Sequence, residues 1–268
     1  MLFNVFFVNG LFAEESSFGS TVEGREILEE FLDFRMKLSK YDDKNECLRL
    51  IDDFKNKMNF ERYTQEESLI LENLVILEVY NYKYGKDENE KELKTVLAEQ
   101  KNKVEKFLAE NKGKKFDKWI YCSYADIISC SMSFSFSDVL KYGVSVKDFY
   151  NEALKVGPDF FYAALNLSQW YFWAPSVMGG GKKKAEEFYE KAFSLAKKPW
   201  EKYYAGIYYS QCLFENKKQE KCKSILSVAY EQFPESTFIK EIKLMNENGY
   251  SLFEGNKRKS KIEEPKNR

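Results

Sequence analysis

Histidine is absent from all 268 residues. That single absence removes the commonest general base, the commonest metal ligand and the Ser-His and Cys-His nucleophile pairs together. Cysteine is sparse and scattered: Cys47, Cys122, Cys130, Cys212 and Cys222 form no CxxC pair. Neither a zinc site nor a redox pair is indicated, and an odd count argues against a disulfide framework. Charge of one sign is lacking too, because Lys+Arg 42 stand against Asp+Glu 43. No basic or acidic field therefore points to nucleic acid. After the first residues, charge interrupts every apolar run well short of a membrane span.

Proline is also scarce. Three of the five prolines, Pro158, Pro199 and Pro234, stand at junctions between helical patterns. From Glu23 onward the chain reads as helices with short punctuation and no sustained alternation that would suggest strands. The expected helices are Glu23 to Leu38, Asp43 to Asn59, Thr64 to Tyr84, Asn89 to Glu110, Asp117 to Phe134 and Val146 to Val156. They continue with Asp159 to Trp173, Lys182 to Lys197, Trp200 to Glu215, Gln219 to Gln232 and Ser236 to Asn248. Stops are legible at Gly85, Gly113, Gly143, Gly157-Pro158 and Pro234.

The opening stretch, MLFNVFFVNGLFAEESS, has the shape of a secretory apolar region with a cleavage site after Ala13. It lacks a preceding Lys or Arg and carries Leu11 where a small residue is usual, so a buried first helix is the alternative. The expected organisation is a leader over 1–22, helical hairpins of weak repeat character over 23–114, repeats over 115–248, and a charged, disordered tail over 249–268. Export to the periplasm or cell envelope follows from the leader, and a cytoplasmic protein follows if the leader fails.

Self-comparison is the most informative step, because a fixed offset between similar segments is the signature of a solenoid. The stretch YAALNLSQWYF from Tyr162 matches YAGIYYSQCLF from Tyr204 at an offset of 42 residues. YADIISCSMSF from Tyr124 fits the same frame 38 residues upstream, with Cys130 where Ser168 and Ser210 stand. Companion segments carry small or short side chains seven apart, at Val146 and Ala153, Ala185 and Ala192, and Cys222 and Ala229. Seven residues is two turns along one helix face, and a proline follows each set.

At these residues the chain resembles the tetratricopeptide repeat (TPR) family. The resemblance rests on Ser168 with Tyr171, then Ala185, Tyr189, Ala192 and Pro199, and on Ser210 with Leu213, then Cys222, Leu226, Ala229 and Pro234. It covers Tyr121 to Phe233. The offsets exceed the family's usual repeat of about 34 residues, and Leu213 replaces the usual aromatic. The resemblance implies an all-α helix-hairpin solenoid, a TPR-like right-handed superhelix, in which a small residue of each first helix lets its neighbour approach.

The segment PSVMGGGKKK, Pro175 to Lys184, invites comparison with a phosphate cradle, since glycine amides at a helix start make an anion nest. The Walker spacing fails: Lys183 stands where a hydroxyl is required and Ser176 where the first glycine should be. The favoured reading is an extended turn between the two helices of one repeat. Acidic pairs such as Asp42-Asp43, Asp52-Asp53 and Glu66-Glu67 read as a solvated face and helix starts rather than paired catalytic acids.

The first helices of a TPR-like stack line its concave groove. The expected binding residues are Tyr162, Leu165, Gln169, Phe172 and Trp173 in one repeat, and Tyr204, Ile207, Gln211 and Phe214 in the next. Paired Gln169 and Gln211 would suit an extended peptide backbone, each offering a donor and an acceptor; equally, they could bridge adjacent helices. The resulting expectation is a non-catalytic scaffold, without cofactor or metal, for a protein or peptide partner. The resemblance extends to the accessory proteins of TRAP-type transporters, which would make the partner a transporter solute receptor. The competing expectation is a carrier of a small apolar ligand in an aromatic-lined pocket.

Overall fold

The computed structural model describes residues 21–255. Residues 1–20 of the leader expected over 1–22, and residues 256–268 of the tail expected over 249–268, lie outside the described residues. The order is α1 (Val22–Leu38), α2 (Lys44–Lys57), α3 (Gln65–Lys83), α4 (Asp87–Glu110), α5 (Lys118–Met132) and α6 (Phe136–Val156). It continues with α7 (Phe161–Trp173), α8 (Lys182–Leu195), α9 (Pro199–Glu215), α10 (Gln219–Gln232) and α11 (Thr237–Glu247). Among the described residues there is no strand, and no helix is long and apolar enough to cross a membrane.

Local chemistry explains most boundaries. Thr64 and Glu67 close a capping box on α3, the Asp43 and Asp117 side chains accept the amides of Asn45 and Trp119, and Pro199 opens α9. One expected stop is no stop at all. Gly143 lies inside α6, which starts ten residues before the expected Val146, capped by Ser135. A single helical glycine costs only about 1 kcal/mol. Burial of Val146, Tyr150 and Ala153 on the same helix, and the bond from Trp170 Nε1 to the Gly143 carbonyl at 2.8 Å, hold the segment in place.

Consecutive helices pair α3 with α4, α5 with α6, α7 with α8 and α9 with α10, and each pair packs on the next. The recurrent small residues sit where they pack. Ser168, Ser210, Ala153, Ala185, Ala192 and Ala229 are all buried, as are Cys130 and Cys222. The Ser168 and Ser210 hydroxyls donate to the Ala164 and Ile207 carbonyls of their own helices, both at 2.7 Å, so each is satisfied without a partner across the interface. Gly206 shows how near the helices come: a Cβ there would lie 2.8 Å from Ala229 Cβ.

The N-terminal half reaches the same close packing with a polar device. Asn73 of α3 donates to Ser123 Oγ of α5 at 3.0 Å and accepts from Gln100 of α4 at 2.8 Å, all of them buried. Glu66 and Glu67 stand in the first turn of α3, as expected of a helix start, but they are not a solvated face, which corrects that part of their reading. Glu67 is buried and accepts from Thr21 and Thr64, and Glu66 accepts the Asp117 amide at 2.7 Å.

Two features depart from an open stack. First, α1 packs against α9 as well as α3, and Thr237 donates its amide and hydroxyl to the Ser39 carbonyl at 2.9 and 3.1 Å. Lys198 and Glu29 form an ion pair at 2.5 Å across the same seam. Second, the chain beyond Asn248 folds back. Leu252 and Phe253 are buried, and Phe253 packs on Phe172 with ring centroids 4.2 Å apart. The tail boundary expected at 249 therefore falls later within the chain.

Gly206→Val should lower stability by about 1–3 kcal/mol through overpacking against Ala229, read as a shift in the urea midpoint. An unchanged midpoint would contradict the close α9–α10 approach.

Candidate functional site

Because α1 closes onto α9, the concave face becomes a chamber of about 780 Å³. Its wall is built from the first helix of each hairpin together with α6. Arg35 comes from α1, Tyr80 and Asn81 from α3, Asp126 and Ser129 from α5, and Tyr150 from α6. Tyr162, Leu165, Asn166, Gln169, Trp170 and Trp173 come from α7, and Trp200, Tyr204 and Tyr208 from the α9 side.

A polar network crosses this wall. Arg35 Nε donates to Glu78 Oε2 at 2.7 Å, with both side chains almost fully buried. Burial opposes the charged guanidinium, but the Glu78 carboxylate and the nearby tyrosines outweigh it and hold its pKa well above the usual value. Asp126 accepts from the Tyr150 hydroxyl at 2.7 Å on Oδ1 and from the Tyr162 hydroxyl at 2.8 Å on Oδ2. Burial pushes the Asp126 carboxyl up to about 6, with the two tyrosine bonds and Arg35 pulling the other way. Burial, then the Asp126 charge, raises both tyrosines well above their ordinary value, so they remain donors.

The nine expected binding residues divide. Tyr162, Leu165, Gln169, Trp173 and Tyr204 line the chamber. Phe172 is buried against Phe253, and Ile207 is a core residue. Phe214 is half-buried against the core and, with Phe172 and Ile207, lies outside the chamber wall. Gln211 is 0% exposed, and its Oε1 accepts the Leu252 amide at 2.9 Å. Gln211 thus anchors the C-terminal segment, while Gln169 meets Asn166 at 3.2 Å beside the chamber. The equivalence of the two glutamines by offset is broken by a segment outside the repeat. Arg35, Tyr80, Asp126, Tyr150 and Tyr208 were not anticipated, although Asp126 is the only acidic residue in α5.

The triple glycine is a turn. Ser176–Met178 forms a short 3-10 helix, Gly179 takes the left-handed conformation, and a Cβ at Gly180 would lie 2.0 Å from the Ala174 carbonyl oxygen. Lys182 pairs with Glu215 at 2.5 Å and Lys184 lies over the Tyr171 ring. A helical turn, not a strand, leads into this segment, so the context of a phosphate cradle is lacking. All five cysteines are buried, and burial raises each thiol, which favours the unreactive form.

The fold is TPR-like. It is an all-α stack of sequential hairpins with small residues at the helix crossings. The chain is similar to a thermophilic TPR protein of Thermus thermophilus with a TM-score of 0.46 and 12% identity, over 79% of this chain and 94% of that one. At that level the likeness says nothing about ligand or partner. No family model matches the chain, and no curated protein matches it.

Two outcomes are expected. Asp126 carries a folded-state pKa raised from 3.8 to about 6, so its burial favours folding below its unfolded value, and that contribution is lost as pH rises through about 6. Asp126→Asn should therefore be more stable than wild type at pH 7.5, by at most about 3 kcal/mol, with the gain vanishing near pH 4 in pH-dependent urea unfolding. Gln211→Ala should lower the melting temperature and speed hydrogen exchange at the Leu252 amide, whereas Gln169→Ala should change neither.

Proposed function

We propose that this chain is a non-catalytic binding protein that holds a compact organic ligand in its concave pocket. A TPR-like stack is typically a scaffold for protein interactions, and an extended peptide would lie along the first helices. The closure of α1 onto α9 carries the present reading. It ends the groove and leaves a pocket of about 780 Å³. That volume lies within the range of about 300–1,000 Å³ usual for small-molecule sites. Its wall, aromatic with a few placed polar groups, fits the carrier expectation better than the groove expectation.

A protein partner has the exposed apolar side chains in its favour: Leu140 and Val177 are 73% and 92% exposed, and large exposed apolar side chains, where they gather, mark contact sites. A carrier that hands its ligand to a partner would use both features. The narrower reading, an exported accessory protein that meets a transporter's solute receptor, rests on the TPR-like resemblance and the apolar leader.

The neutral fluorophore N-phenyl-1-naphthylamine should bind at one site per chain with enhanced emission. Leu165→Trp, which narrows the pocket, should weaken that site, and Leu140→Asp with Val177→Asp on the exposed surface should leave it intact. Loss only with the surface variants would refute the chamber as the ligand site.

A further inference from the structure

The charges around the chamber do not balance among themselves. Three ionisable groups are buried together there: Arg35, Glu78 and Asp126. Arg35 is committed to Glu78 at 2.7 Å. Its charge reaches Asp126 and lowers that carboxyl's pKa, but among the described residues Asp126 has no ion pair. Its two short bonds come from neutral tyrosines, Tyr150 on α6 and Tyr162 on α7. The other titratable groups near it are Cys122 and Cys130 of its own helix, whose thiols burial holds protonated. No lysine is among the residues that line the chamber. Asp126 is thus a buried carboxylate with hydrogen bonds but no ion pair of its own, its nearest cation being Arg35, which is already paired with Glu78, although a buried charge is ordinarily paired.

The rest of the wall suits a cation. Trp170, Trp200, Tyr204 and Tyr208 line the same pocket, and the negative faces of such rings attract ammonium groups. Two of these rings already take a cation of the protein itself, Trp170 from Lys147 at 5.1 Å and Tyr204 from Arg35 at 5.9 Å, which leaves Trp200 and Tyr208 for a ligand. Asn166 and Gln169 add neutral polar groups beside Asp126's partner Tyr162 on α7.

We propose that the chamber selects a compact organic cation, a primary or quaternary ammonium on an apolar or aromatic body, with its charge set against Asp126 and its body among the tryptophans and tyrosines. The inference rests on the reading of the chamber as a ligand site. It adds the sign of the ligand's charge and the residue that reads it. A cation stabilises the ionised carboxylate, so affinity should fall as pH is lowered from 7.5 to 5, the opposite of what an anion held by Arg35 would show.

The test is isothermal titration of the full chain with 2-phenylethylammonium, its neutral counterpart 2-phenylethanol, and phenylacetate. The ammonium should bind tightest, and Asp126→Asn should weaken it by about tenfold or more while leaving the alcohol unchanged. That variant is expected to be the more stable protein at neutral pH, so loss of binding will not reflect loss of fold. A tighter phenylacetate would overturn the inference and move the anchor to Arg35. Equal binding of all three, or ammonium binding untouched by Asp126→Asn, would also overturn it. If none of the three binds while the neutral naphthylamine still enters, the cation inference fails alone. If the naphthylamine is excluded as well, the chamber reading fails with it.

Discussion

The contact of α1 with α9 governs the concave face of this molecule. A stack of helix hairpins otherwise leaves an open trough whose first helices all face solvent, and such a surface is built for extended partners. Here α1 packs on both α3 and α9, the Ser39 carbonyl accepts two bonds from Thr237, and Lys198 reaches Glu29. The trough becomes a chamber with a finite volume. Arg35, Glu78 and Asp126 are largely buried in its wall, and their charges acquire consequences.

The chain from Glu78 through Arg35, and from Tyr150 and Tyr162 to Asp126, joins α1, α3, α5, α6 and α7 into one wall. Such a network is demanding. Removing one partner leaves another buried group unsatisfied, which costs far more than a surface ion pair contributes. A carboxylate whose burial lifts its pKa to about 6 is retained at a cost to folding at neutral pH. Costs of that kind concentrate where a protein binds something.

Much of this fold was legible in the sequence, and for identifiable reasons. The α10 boundaries, Gln219–Gln232, were anticipated in full, because Cys222, Leu226 and Ala229 keep helical spacing and Pro234 follows. The alignment of Ser168 with Ser210 held, since close helix packing admits only small side chains at a crossing. Gly143 misled because glycine is a weak helix breaker, and the packing of α6 that outweighs it involves distant residues. Glu66 and Glu67 misled in the same way: their partners Thr21 and Asp117 lie roughly fifty residues away.

The sequence by itself determined the helices, their pairing into hairpins and the small residues that set how closely the hairpins pack. Those are local or periodic properties, written in spacing, caps and breakers. Tertiary structure alone decided that α1 would meet α9, that Gln211 would be covered by Leu252 while Gln169 stayed beside the chamber, and that Asp126 would lie near Arg35. These are contacts between segments far apart in the chain, and their energies depend on burial and distance. No residue carries that information until the stack has closed.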